Sequence, residues 1–89
     1  MKEAYLEVTY RHGKALAAYY YLPRRARDKT YRTSQPVLGL VVDCTRAGRP
    51  IGIEITAPHR VSLTTLNRVL RDLGCSAVTQ EELAPLRAA

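Results

Sequence analysis

Residues 37–56 read VLGLVVDCTRAGRPIGIEIT, and this stretch decides the fold. Two apolar runs, residues 37–44 and 49–56, flank the turn-forming residues 45–48, which predicts an antiparallel β-hairpin. A four-residue loop brings the apolar side chains of both strands onto one face, so loop length and pattern agree. The expected pairs are Cys44 with Arg49, Val42 with Ile51, Leu40 with Ile53, and Leu38 with Ile55.

The second face of this hairpin contains two glycines, Gly39 and Gly52. Glycine inside a strand indicates that another group approaches the backbone closely. We expect this face to carry Val37, Gly39, Val41, Gly52 and Glu54.

A second hairpin is predicted upstream, with strands over residues 4–11 and 14–22 around Arg11-His12-Gly13. A two-residue loop at His12-Gly13 would place polar and apolar residues on the same face. A three-residue loop, with Gly13 in the left-handed conformation, avoids this by pairing Val8 with Leu16 and Leu6 with Ala18. We therefore expect one face to carry Leu6, Val8, Tyr10, Leu16, Ala18, Tyr20 and Leu22. The opposite face then carries Tyr5, Tyr19 and Tyr21.

An amphipathic helix is predicted over residues 63–73. Ser62 is a suitable N-cap, Gly74 a suitable C-cap, and leucines recur at helical spacing between them. Thr79 to Glu82 resembles the start of a second short helix. The fold class expected is α+β: a single domain over residues 1–89, with a four-stranded antiparallel sheet of two hairpins and one helix on its apolar face (ββββα), followed by a tail over residues 75–89.

The connection between the hairpins, residues 23–36, is basic and has almost nothing to bury. Arginine and lysine neutralise phosphates, and tyrosine rings stack on bases. The ordinary alternative is a solvated loop beside tyrosines buried in an interface, where tyrosine is enriched. The candidate residues for binding nucleic acid or an acidic partner are Arg24, Arg25, Arg27, Lys29, Tyr31 and Arg32.

Composition limits the remaining functions. The 89 residues carry a net charge of +6, six Tyr, and no Phe or Trp. No apolar run approaches the roughly 20 residues that span a bilayer, and no signal segment is visible, so we expect a cytoplasmic protein without a membrane role. The two cysteines and two histidines lack the close spacing of a metal site, so neither a metal nor a cofactor is expected. No catalytic set of residues is recognisable.

The run KALAAYYYL, followed by GLVVD, a glycine-containing turn and GRPIGIEIT, resembles the bacterial family called domain of unknown function 2283. The resemblance covers roughly residues 4–57, and the basic connection and the helix with its tail depart from the usual core of that family. It implies a small β-rich domain that is oligomeric. Relatives in paired small-gene modules of toxin–antitoxin type suggest a protein partner, and the resemblance brings no catalytic residue.

The sequence thus favours an interaction protein, a homodimer, as the antitoxin-like half of a two-gene module. The alternative is a nucleic-acid-binding protein that uses residues 24–32 and exposed tyrosines, and an enzyme is a distant third. The expected oligomer interface consists of Tyr5, Tyr19, Tyr21, Gly39, Val41 and Gly52.

Overall fold

The protein forms one antiparallel five-stranded sheet covered on one face by helices. The computed structural model describes residues 3–87. The strands are β1 (Tyr5–Arg11), β2 (Lys14–Tyr21), β3 (Arg32–Val37), β4 (Leu40–Cys44) and β5 (Pro50–Ile55). They are followed by a 3-10 helix (Pro58–Arg60), α1 (Leu63–Asp72) and α2 (Ala84–Arg87). The strand order β1-β2-β5-β4-β3 joins the hairpins through β2 and β5. The α+β class is confirmed, but the sheet has five strands rather than four.

The additional strand, β3, comes mainly from the segment predicted as a connection. It pairs with β4, and the chain reverses at Leu38 and Gly39 so that Val37 opposes Leu40. The predicted single strand over residues 37–44 is therefore wrong at its start. The physical reason is that β3 lies at the edge of the sheet with nearly every residue exposed. No buried face imposes an apolar alternation that would reveal such a strand.

The register of the β4–β5 hairpin differs from the prediction by two residues. Val42 opposes Ile53 and Leu40 opposes Ile55, and an irregularity follows Asp43. Side chains alternate with a period of two, so an even shift leaves the same apolar residues on the same face. The core face was therefore predicted correctly for Leu40, Val42, Ile53 and Ile55, although the expected pairs were wrong. Leu38, expected on the same face opposite Ile55, instead lies in the β3–β4 turn and is 79% exposed.

The β1–β2 hairpin also reaches its expected faces by another route. Its loop has two residues rather than three, with His12 and Gly13 at φ values of 52° and 77°. Positive φ at both positions is typical of the type I′ turns that connect paired strands. A β-bulge then shifts the register by one residue, so that Thr9 opposes Ala17 whereas Tyr10 opposes Ala15. The residue left over, Leu16, is 55% exposed instead of facing the core.

The core lies between this sheet and α1. Leu66 and Leu70 are fully buried and Val69 nearly so, and all three belong to the apolar cluster of the sheet. From the strands and from Leu22, which follows β2, that cluster includes Ala15, Ala18, Tyr20, Leu22, Leu40, Val42, Ile53 and Ile55.

Both ends of α1 are capped as the sequence predicts. Ser62 Oγ accepts a hydrogen bond from the Thr65 backbone N–H at 3.1 Å. At the other end Gly74 takes a φ of 75°. The Cys75 N–H then donates to the Leu70 carbonyl at 2.8 Å. These contacts satisfy backbone groups that a helix end leaves unpaired.

The segment after α1 is attached to the core through Asn67. Its side chain donates to the Val78 carbonyl at 3.1 Å and accepts from the Val78 N–H at 2.8 Å. Thr79 and Glu82 form a reciprocal capping box with bonds of 2.9 and 3.1 Å, as the sequence suggests. The Tyr10 hydroxyl donates to the Pro85 carbonyl. Val78, Leu83 and Leu86 are buried, so this segment completes the core.

We predict that Asn67→Ala lowers the free energy of unfolding by about 1–3 kcal/mol, because it leaves both backbone groups of the buried Val78 without partners. Urea denaturation measures the loss. Arg68→Ala, an exposed neighbour on the same helix, is the matched control and should change stability by less than about 0.5 kcal/mol. Equal losses in the two variants would contradict the role given to Asn67.

Candidate functional site

The basic connection folds back onto the loop between β4 and β5. The Arg49 guanidinium donates two hydrogen bonds to the Asp28 carboxylate, at 2.6 and 2.8 Å. The Tyr31 N–H donates to the Cys44 carbonyl at 2.9 Å and anchors the end of the connection. We call residues 23–31 and 45–49 together the basic loop pair. It lies at the end of the sheet where β2 ends and β5 begins.

Asp28 is the one acid of this loop pair, and its charge is already balanced. The hydrogen bonds from Arg49, with a further one from the Arg25 N–H at 2.7 Å, lower the pKa of Asp28 to about 2. A carboxylate held in this way stays ionised but offers little repulsion to an approaching anion. The other charges of the loop pair are positive.

Three exposed cations, Arg27, Lys29 and Arg46, line a concavity together with Tyr31, which is 59% exposed. The Arg46 guanidinium carbon lies 5.4 Å from the ring centroid, within the range of a cation–π contact. Arg27, Lys29, Tyr31, Arg46 and Arg49 line one concavity of about 520 Å³, and Arg25 is exposed nearby in the same loop. The loop pair therefore combines a stacking surface with a cluster of positive charge.

Arg46 and Arg49 were missed as site residues because they look like turn residues in the sequence. Only the folding of one loop against the other brings them beside Tyr31 and Asp28. Of the predicted candidates, Arg24, Arg25, Arg27, Lys29 and Tyr31 all lie in the loop pair, and Arg32 is the exposed first residue of β3.

Arg24 differs from the other predicted cations. It is half-buried, and its guanidinium donates to the Ile51 carbonyl at 2.5 Å. Its guanidinium carbon also lies 5.3 Å from the centroid of the Tyr21 ring. Arg24 thus belongs with the tyrosines of the sheet rather than with the exposed charges.

The sheet face opposite α1 carries three of the six tyrosines, as predicted. The Tyr5 and Tyr21 rings are stacked with centroids 4.4 Å apart, and Tyr19 tilts against Tyr21 at 4.6 Å. We call this surface the tyrosine face, and it comprises Tyr5, Tyr19, Tyr21, Val41 and Gly52. Within residues 3–87, no helix packs on it.

Gly52 is what allows Tyr19 to lie across the sheet. A Cβ atom at Gly52 would stand 2.1 Å from the Tyr19 hydroxyl oxygen. The ring passes over the glycine, and its hydroxyl donates to Asp43 Oδ2 at 2.6 Å. Burial, followed by this hydrogen bond, raises the pKa of Tyr19 to about 12. The close approach predicted at Gly52 is therefore made by a side chain of the same sheet.

Carboxylates make the tyrosine face acidic. Asp43 accepts from Tyr19, Glu7 accepts from Tyr21 at 3.3 Å, and Glu54 is exposed between β2 and β4. Arg24 contacts Tyr21, but the exposed cations of the basic loop do not join Tyr19 and Tyr21 in one surface. The tyrosine that accompanies the exposed cations is Tyr31.

Gly39 and Val37 were expected on this second face, and both lie elsewhere. Gly39 is in the β3–β4 turn with a φ of 93°, and a Cβ there would stand 3.1 Å from Val61 Cγ2. Val37 packs against the core cluster. The turn at residues 38–39 ends the alternation from which their positions were inferred.

No metal or membrane feature occurs in the part of the chain that the structure describes. Cys44 and Cys75 are both free, and no three His, Cys, Asp or Glu side chains of residues 3–87 could together hold a metal ion. None of the helices in residues 3–87 is long and apolar enough to cross a bilayer. Comparison with protein-family models, curated proteins and solved structures found no match to this chain.

We predict that Tyr19→Phe reduces the loss of stability at high pH. The raised pKa of folded Tyr19 contributes stability that is present below pH 10, the value for an ordinary tyrosine, and is lost as pH rises toward 12. Urea denaturation between pH 9 and pH 12 should therefore give a shallower decline for Tyr19→Phe than for the wild type. Tyr31→Phe removes one exposed phenol and serves as control. Parallel curves for wild type and Tyr19→Phe would contradict the raised pKa that burial and the Asp43 hydrogen bond give Tyr19.

Proposed function

We propose that this protein binds single-stranded nucleic acid through the basic loop pair. The observation that carries the proposal is the cluster of exposed cations around the Tyr31 ring, in loops whose one acid is held by Arg49. Phosphate contacts supply most of the affinity of such proteins, and an aromatic ring adds stacking on an unpaired base.

Each part of the loop pair has a role in this proposal. Arg25, Arg27 and Lys29 meet phosphates along one loop. Tyr31 stacks on a base through the part of its ring that Arg46 leaves open, and Arg46, already beside the ring, meets the adjacent phosphate. None of these contacts reads base edges, so we expect weak dependence on sequence.

Fluorescence anisotropy with labelled single-stranded DNA and RNA tests the proposal. We expect binding that weakens as NaCl rises from 50 to 200 mM, because phosphate contacts release counterions. Tyr31→Ala should weaken binding by roughly 5- to 100-fold, the range for loss of one base-stacking contact. The double variant Arg27→Gln, Lys29→Gln should weaken binding and lower the salt slope by about 1.4.

The matched control is Arg68→Gln with Arg71→Gln, which removes the same charge from the exposed face of α1. It should leave affinity close to that of the wild type. If both double variants weaken binding equally, only net charge matters and the loop pair is not the site. No binding at low salt would reject the proposal entirely.

A second candidate function is self-association through the tyrosine face, which would supply the interaction role implied by the family resemblance. The supporting observation is an aromatic sheet face with Tyr5 47% exposed and no element of residues 3–87 packed over it. Aromatic residues are enriched in interfaces, and a second copy of the chain would cover this face. A protein partner from a two-gene module would cover it in the same way.

Size-exclusion chromatography with light scattering tests self-association. We expect the wild type to have the mass of a dimer and Val41→Lys to have that of a monomer, because a lysine there would have to be desolvated in the interface. Leu38→Lys, in the β3–β4 turn at a residue that is 79% exposed, is the control and should remain dimeric. A monomeric wild type at high concentration would reject the homodimer.

A further inference from the structure

A second basic concavity lies at the opposite end of the sheet from the loop pair. It is a cleft of about 560 Å³ between the β1–β2 turn and the 3-10 helix. We call it the hairpin cleft. Its volume is within the range of small-molecule sites, and it is separated from the basic loop pair by the length of β2 and β5.

The cleft is lined by positive charge. Arg11 and Lys14 come from the hairpin, and Arg60 comes from the 3-10 helix. No described carboxylate lines it, and the ion pair found within residues 3–87, Asp28 with Arg49, is at the other end of the sheet. Charges of one sign around a concavity focus their field and attract an oppositely charged ligand.

The base and rim of the cleft are apolar. Ala15 and Pro58 are buried, while Leu16 stands at the rim with 55% of its surface exposed. Leu16 is the residue displaced by the β1–β2 bulge. Bulges are frequent next to functional sites because they redirect a side chain. Here the bulge removes a leucine from the core and presents it to the cleft.

Both histidines of the chain line this cleft, although 47 positions separate His12 and His59 in the sequence. His12 holds the left-handed conformation, with a φ of 52°, in a turn where asparagine followed by glycine is the usual choice. Backbone strain at a residue that lines a cavity points toward a role for its side chain.

We propose that the hairpin cleft binds a small organic anion. Its oxyanion group contacts Arg11, Lys14 and Arg60, with the two imidazoles as further hydrogen-bonding groups. A compact apolar body lies over Ala15, Leu16 and Pro58. The site shares no residue with the loop pair, so this proposal is tested separately from nucleic-acid binding.

Titration of the isotope-labelled protein with phenyl phosphate, followed by NMR, tests the proposal. Inorganic phosphate and phenol are titrated separately, and benzoate replaces the phosphate head with a carboxylate. We expect shifts concentrated at residues 11–16 and 56–60, with phenyl phosphate or benzoate binding roughly tenfold more tightly than inorganic phosphate or phenol because both halves of the ligand are held. Shifts spread over all exposed cations, or equal affinity for inorganic phosphate, would overturn the proposal.

Variants assign the contacts. Lys14→Gln and Arg60→Gln should each weaken binding of the tighter-binding organic anion several-fold. Leu16→Ser should lower the affinity for that anion to the affinity for inorganic phosphate. His12→Asn keeps a residue that tolerates positive φ, so any weakening there reports the imidazole rather than the turn.

Two controls remove charge elsewhere. Arg68→Gln, on α1, and the double variant Arg27→Gln, Lys29→Gln, in the loop pair, should both leave the affinity for the organic anion unchanged. Unchanged affinity in Arg60→Gln would refute the site.

Discussion

The pairing of β2 with β5 is the interaction on which the rest of the structure depends. It joins the two-stranded β1–β2 hairpin, which alone would be marginal in water, to the three-stranded unit β5-β4-β3. On one face it aligns Tyr20 with Ile53 beneath the helices. On the other face it brings Tyr21 opposite Gly52, and the Tyr19 ring crosses that glycine to reach Asp43 on β4. One strand pair thus organises both the core and the tyrosine face.

Apolar alternation predicted most of the strand residues that face the core, with Leu16 and Leu38 as exceptions, but did not predict how the strands are paired. Leu40, Val42, Ile53 and Ile55 all lie on the expected face, although their register is shifted by two residues. Alternation is insensitive to even shifts, and the bulge at Leu16 compensates for a turn shorter than expected. Strand β3 escaped prediction because it buries almost nothing. The unpredicted strand β3 and the wrong strand registers therefore have the same cause, because an apolar pattern indicates only which side chains are buried.

The candidate surfaces were predictable only where one segment supplies them. The cations of residues 25–29 and Tyr31 are neighbours in the sequence, so their cluster was recognised. Arg46 joins them because the two loops contact each other. His12 and His59 line one cleft because the β1–β2 turn and the end of β5 lie at the same end of the sheet. The carboxylates of the tyrosine face became visible only once cross-strand neighbours were known. Charge is consequently arranged in zones, with both ends of the sheet basic and the tyrosine face between them acidic.

The position of the loop between β2 and β3 has a consequence for how such a protein can evolve. The entropic cost of closing a loop rises slowly with loop length, by about 0.6 kcal/mol for each doubling of the number of residues. Residues 23–31 contribute little to the core, and their attachment rests on a few contacts such as Asp28 with Arg49. Insertions and exchanges of charge there would cost the scaffold little. The same sheet could therefore acquire a different binding preference while its packing stays unchanged.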